Sequence, residues 1–241
     1  MKKVAILSLV VLFTTSCVGQ WGKGIKGNGK TVSIDRSVGE YDEIAVAGWF
    51  DVDLVEGKEG ALTIEGEENL LEYIITEVEN GKLVIKQEKG VNLKPSSSKD
   101  GIRITVPVES IEALNLSGSA DIVGKMTIKT SNFKTAMSGS GDITLDLETE
   151  AISASMSGSG DMNLSGKTGD FDATISGSGD IKAYDLIADN VEATVSGSAD
   201  IKVTANKMLK ARVSGSGDIS YRGNPTKVDT KTSGSGDISK G

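Results

Sequence analysis

The chain has 241 residues, including 30 Gly, 3 Pro, 1 Cys and no His, with 4% aromatic residues and a formal net charge of −8. That length suits one or two domains with a sizeable core; the missing His excludes histidine general bases and imidazole zinc sites, and a lone Cys excludes a disulfide framework. The acidic balance argues against nucleic acid as a partner, since that binding rests on clustered Lys and Arg.

At the N-terminus, Met1-Lys2-Lys3 is basic, Val4 to Phe13 is apolar except for Ser8, and Thr14-Thr15-Ser16-Cys17 follows. The apolar run is short for a bilayer span and reads as a secretory signal over residues 1–16. A small residue directly before a Cys, just after such a run, resembles the bacterial lipobox, with Thr14 standing where Leu is usual. That resemblance implies cleavage before Cys17, a lipid on Cys17 and attachment to a membrane without crossing it. The alternative is an ordinary signal with a chance Cys. Residues 17–29 then read as a lipidated Cys and a Gly-rich flexible tether, with five Gly between Val18 and Gly29.

Residues 30–116 are the less regular part of the domain. Alternating patterns predict strands at Thr31–Asp35, Glu43–Ala47, Val52–Val55 and Leu62–Glu65. Asn80-Gly81 between Ile75–Val78 and Lys82–Ile85 is a hairpin signal. Asn69 to Ile75 suits a short helical turn, and Gly90 to Gly101, with Pro95-Ser96-Ser97-Ser98, reads as a loop. This part carries 18 acidic and 9 basic residues against 16 and 13 in residues 117–241, so a charge-selective partner is to be sought here.

From Ser117 onward, Ser-Gly-Ser-(Gly/Ala)-Asp plus an apolar residue occurs seven times, starting at Ser117, Ser138, Ser157, Ser176, Ser196, Ser214 and Ser233, at intervals of 18 to 21 residues. Twelve of the 30 glycines lie inside these copies, so the glycine is periodic and a random linker is excluded. Before each copy, residues alternate strictly: Ile152, Ala154, Met156; Phe171, Ala173, Ile175; Val191, Ala193, Val195; Leu209, Ala211, Val213. That is a strand with one buried face. A second short alternating run follows each Asp, as in Ile143-Thr144-Leu145. Each unit therefore reads as strand, variable turn, strand, Gly-rich turn. Two short strands cannot bury their face alone but stacked copies can, which predicts an all-β parallel β-helix, or solenoid, with coils of about 19 residues and Ala154, Ala173, Ala193 and Ala211 in one inward ladder.

Gly118, Gly139, Gly158, Gly177, Gly197, Gly215 and Gly234 are expected to supply positive φ at the corners. Asp121, Asp142, Asp161, Asp180, Asp200, Asp218 and Asp237 would form a column of like charges. A calcium ladder is the sharp reading of that column, because hard cations take carboxylate oxygens; the reading preferred here holds each Asp by its own turn in solvent, with no metal. Val46-Ala47-Gly48-Trp49-Phe50-Asp51-Val52 matches the motif with large groups inserted. Trp49 and Phe50 are candidates for a binding site, or for a cap over the solenoid's N-terminal end, the preferred role.

The Ile25-Lys26-Gly27-Asn28-Gly29 entry, the Gly-Trp-Phe-Asp-Val segment, Glu68-Asn69-Leu70-Leu71 before the Asn-Gly hairpin, and the Ser-Gly-Ser-Gly-Asp series together resemble the head GIN domain family, over roughly residues 30–241. Members are described as auto-transporter adhesins, common in Bacteroidetes. The resemblance implies a single right-handed β-helical domain related in shape to pectin lyases, without their catalytic residues and without a cofactor. The expected function is that of a non-enzymatic, lipid-anchored envelope protein of the outer membrane, with an adhesive, binding or structural role toward a glycan or protein ligand of unknown identity. The alternatives are a polysaccharide-active β-helical enzyme and a calcium-binding module. Against the enzyme, the repeats hold only Arg212 and Arg222 as Arg and only Tyr184 and Tyr221 as Tyr, and their outward residues do not cluster. At the far end Val228, Thr230 and Thr232 take the inward positions. A polar last rung near Lys240 suits a blunted edge, and end-to-end assembly into a homo-oligomer is the other use of such an edge.

Overall fold

The structure, a computed structural model, describes residues 23–97 and 101–241. The expected signal peptide and Cys17 lie outside the described residues.

Period-2 alternation produces strands whose inward side chains stack from coil to coil. Five of them are long: β11 (Ile122–Gly139), β12 (Ile143–Gly158), β13 (Asp161–Gly177), β14 (Asp180–Gly197) and β15 (Asp200–Gly215). They lie parallel, with equivalent residues paired: Ile152 with Phe171, Ala154 with Ala173, Met156 with Ile175, Gly158 with Gly177. The chain winds as a β-solenoid of about seven turns. Ala154, Ala173, Ala193 and Ala211 form the expected inward column, each at most 1% exposed. Leu145, Leu164, Ala183 and Val203 belong to the same buried core.

One expectation is corrected. The variable turn inside each repeat is a bend within a continuous strand, so a coil is one strand of 16 to 18 residues and one sharp corner. Parallel stacking lets backbone groups bond the neighbouring coil even where the chain bends. At the bend of β12 and β13, Thr149 pairs with Thr168 and their hydroxyls hydrogen-bond at 3.1 Å. Bulges absorb the differences in coil length, for example between Ala183 and Ile187 against β15.

The first coil is built from the degenerate motif. β3 (Glu43–Gly48) and β10 (Ala113–Gly118) pair with Gly48 opposite Gly118, and β4 (Asp51–Glu56) meets β11 with Val52 opposite Ile122. Beyond this coil the strand directions mix. β9 (Arg103–Val108) runs parallel to β4, whereas β5 (Ala61–Glu67) and β2 (Thr31–Ser37) follow as antiparallel neighbours. On the other wall β7 (Lys82–Gln87) runs parallel to β3, and β6 (Ile74–Glu79) folds back on it. Asn80 (φ 52°) and Gly81 (φ 77°) make this hairpin with the positive φ values the sequence predicts.

The helical turn sits slightly earlier than expected, as α1 (Glu68–Leu71), because Leu70 and Leu71 are buried and Ile74 already belongs to β6. Two further expectations change together. The loop of residues 90–101 contains β8 (Val91–Lys94), and the flexible tether ends early, since β1 (Lys23–Lys26) pairs with β8 in parallel. Leu93, 5% exposed, seats β8 on the core, and β8 offers β1 its free edge. At the far end β16 (Ile219–Arg222) and β17 (Lys227–Gly234) stack on β15, and β18 (Ile238–Lys240) stacks on β16.

Candidate functional site

The corners come first, because every outward feature is positioned by them. Gly139 has φ 142°, and a Cβ there would overlap the carbonyl oxygen of Gly118 one coil earlier. That carbonyl accepts the N–H of Ser140 at 2.9 Å. The relation recurs from coil to coil, with Ser159 donating to Gly139 and Ser178 to Gly158. The glycine is thus required twice, by its φ and by the oxygen against its Cα.

The Asp column is built differently from its expected form. Five of the seven carboxylates serve the neighbouring coil rather than their own turn: Asp121 Oδ1 accepts the N–H of Asp142, Asp142 that of Asp161, Asp161 that of Asp180, Asp200 that of Asp218 and Asp218 that of Asp237, at 2.8 to 3.3 Å. The rung from Asp180 to Asp200 is missing among the described residues, in a coil where Ala199 replaces the second glycine. Asp51 to Asp121, beside Ala120, lacks it too. Among the described residues, no three His, Cys, Asp or Glu side chains converge as metal ligands.

Phe50 is 1% exposed, with its ring edge against the Cα of Gly48. It fills the corner of the first coil and is out of a ligand's reach. Trp49 is half-buried; its ring lies 6.4 Å from Phe50, and Nε1 donates to Gln87 Oε1 at 2.9 Å. Both pack at the corner between β3 and β4.

A third residue of this end, not anticipated from the sequence, is Glu67. Its side chain is 0% exposed and accepts backbone N–H groups from Gly29 at 2.5 Å and Ser96 at 2.6 Å. Burial by itself raises its pKa, but the hydrogen bonds from Ser96 and Gly29 outweigh that and hold it below the usual carboxylate range. Asn69 adds two bonds to the same entry segment, from Asn28 N–H at 2.9 Å and to Lys26 O at 2.8 Å. The Gly-x-Gly entry and the Glu-Asn-Leu-Leu segment therefore touch. An acidic residue just before that segment was the available signal.

Among the described residues, the outer walls carry shallow grooves. One of about 350 Å³ crosses the coils between Asn132, Ser153, Asp172 and Glu192, with Phe133, Ile152, Phe171 and Val191 buried beneath it. A second, of about 450 Å³, runs between rows of Ala, Ser and Thr, with Leu116, Met137 and Met156 buried beneath it. The third, of about 420 Å³, is polar and is lined by Asn163, Ser165, Lys182, Tyr184, Asp185 and Lys202. Arg222 stacks on Tyr184 with its guanidinium carbon 3.9 Å from the ring centre. Lys182 bonds Asp161 at 2.5 Å, which raises its pKa against the opposing effect of burial. The outward residues thus cluster here more than the sequence suggested, because a period of 18 to 21 residues places Lys182, Lys202 and Arg222 on successive coils.

The fold and these walls define a β-solenoid repeat protein with extended outer faces. The family model described as "Putative auto-transporter adhesin, head GIN domain" matches residues 40–225. The chain belongs to the head GIN domain family. Among solved structures, a putative adhesin from Bacteroides fragilis is similar at 25% identity and TM-score 0.85, covering 90% of this chain and 100% of the other. A putative lipid binding protein from Parabacteroides distasonis is similar at 27% identity and TM-score 0.75, and a putative adhesin from the same species at 26% and 0.74, each covering 91% of this chain and 100% of the other. No curated protein matches the chain. Among the described residues no helix is long and apolar enough to cross a membrane.

Proposed function

We propose that this protein is a non-enzymatic, lipid-anchored protein of the cell envelope, at the outer membrane, whose solenoid serves as an adhesive or binding surface. The observation that carries the reading is the family match over most of the domain, on a fold whose grooves are open and lie on its outer walls. A non-enzymatic role is supported by the titratable groups with shifted pKa values. Hydrogen bonds shift Glu67, Lys86, Lys182 and Asp229, burial shifts Arg36, Tyr41 and Tyr73, and no two of these seven line the same groove. The anchor at Cys17 rests on the signal-like segment. Residues 17–22 lead into β1 at the capped end, so an anchored chain would stack its coils away from the lipid.

Metabolic labelling with an alkyne fatty acid tests the anchor, with label on the wild type and none on Cys17→Ser as the expected result. Protease treatment of intact cells tests exposure, with cleavage before lysis expected. An unlabelled wild type overturns the anchor, and protection until lysis overturns a role in surface adhesion. Flotation of the unlipidated Cys17→Ser chain with lipid vesicles separates lipid binding, a reading supported by the name of one structural neighbour, from binding to glycan or protein.

A further inference from the structure

The two ends of the solenoid differ. At the N-terminal end Leu70, Leu71 and Leu93 are at most 5% exposed, covered where α1 and β8 close the core. At the other end β17 is bonded to β15 on one side, and among the described residues no strand stands on its other side. All eight residues of β17 are exposed. They include Val228, 47% exposed, on the inward column that Leu209 fills one coil earlier. Such an edge presents unpaired N–H and C=O groups beside an uncovered apolar column.

We infer that β17 pairs antiparallel with β17 of a second copy of this chain, centred on Thr230, to close a two-fold dimer. The strand reads Lys-Val-Asp-Thr-Lys-Thr-Ser-Gly, and this register pairs seven of its eight residues with unlike charges opposed, whereas centring on Val228 also opposes Lys227 and Asp229 but overlaps only three residues of β17. Directly opposed residues lie on the same face of a sheet, so Asp229 of each copy faces Lys231 of the other on the outer wall, while Val228 faces Thr232 on the inner side. Centring on Asp229 or on Lys231 sets like charges opposite each other. A two-fold axis perpendicular to the wall joins inward columns to inward columns, so each copy covers the other's open core. Arg212, 2.5 Å from Asp229, adds a second cation at each pair. The capped opposite end offers no matching surface, so the contact closes at two copies instead of propagating. This dimer does not depend on what the outer grooves bind.

Sedimentation equilibrium of the full chain carrying Cys17→Ser, which removes lipid as a cause of association, is expected to show a concentration-dependent monomer–dimer equilibrium. Lys231→Glu and Asp229→Lys each set like charges opposite one another twice per dimer, and each is expected to weaken association about tenfold. An equimolar mixture of the two is expected to recover the dimer, because every 229–231 pair in the heterodimer is again of opposite sign. Circular dichroism verifies that both variants keep the β fold. A wild type that stays monomeric, variants that associate as tightly as wild type, a mixture that fails to recover, or open-ended polymers would each overturn the inference.

Discussion

Asp142 Oδ1 accepts the backbone N–H of Asp161 at 2.8 Å, one coil along, while the N–H of Asp142 is itself held by Asp121 Oδ1 at 3.1 Å. A column of like charges is thereby also a chain of hydrogen bonds between coils, and the bond needs an oxygen, not a charge. Asp142→Asn keeps the acceptor and relieves repulsion, so its stability is expected to match or exceed wild type. Asp142→Ala removes the acceptor and is expected to cost about 1 kcal/mol. Denaturant unfolding of the two variants beside wild type checks the order.

The same bond bears on calcium. With one oxygen of the Asp121, Asp142, Asp161, Asp200 and Asp218 carboxylates turned to a backbone amide, the column offers each ion few free ligands, whereas calcium takes six to eight oxygens. Titration of calcium into metal-stripped protein by calorimetry is expected to give no stoichiometric heat. Tight saturable binding would show that the carboxylates leave their amides.

Glu67 makes stability depend on pH in a defined direction. Its pKa is lower folded than unfolded, so the unfolded chain binds the proton more readily. The stabilisation is complete above the ordinary carboxylate value of about 4.3 and is lost as pH falls through the depressed folded value. Glu67→Gln presents one acceptor where two amides need partners. It is expected to be less stable at neutral pH by about 2 kcal/mol and to lose less on acidification. Thermal melts of both proteins between neutral and acidic pH test this.

Thr135 occupies the Ala column at 2% exposure, and its Oγ1 has no hydrogen-bond partner. A buried unsatisfied hydroxyl costs about 1–3 kcal/mol. Thr135→Ala, which conforms to the coils above it, and Thr135→Val, which keeps the volume, are both expected to be neutral or stabilising. The larger gain should be for Val, because it leaves no cavity. A melting temperature below wild type in both would refute this.

Gly139→Ala is expected to be far more damaging than an ordinary surface change. The substitution meets the Gly118 carbonyl and must also hold φ at 142°. We expect a loss of about 3 kcal/mol or more, read as a drop in denaturant midpoint. Ser140→Ala next to it donates through its backbone only and should stay near wild type.

The solenoid and its register were legible in the sequence because each repeat carries the same physical demand. Ile152, Ala154 and Met156 alternate with serines, so one face must be buried, and Phe171, Ala173 and Ile175 can bury it only by stacking in register. The corner glycines were legible too, since few residues other than glycine tolerate both the φ and the close carbonyl. Contacts between segments far apart in the chain were not. Glu67 meets Gly29 and Ser96 across 38 and 29 residues, so its place before the Glu-Asn-Leu-Leu segment did not reveal its partners. β1 and β8 are four residues each and gain their strand character only from one another and from Leu93 beneath. The polar groove at Tyr184 brings together Lys182 and Lys202 from successive coils, and coil length, bent by bulges, sets which residues meet there.

Glycine was the most conspicuous number in the composition, and its spacing alone determined that the chain is a stack of coils with sharp corners. Periodicity also determined which residues face inward, because burial of one face is a property of each strand. The tertiary structure decided what each corner Asp binds, which end is closed and which groups share a groove. These depend on how one coil lies on the next, and the hydrogen bonds that set that relation run between residues about 19 positions apart or more.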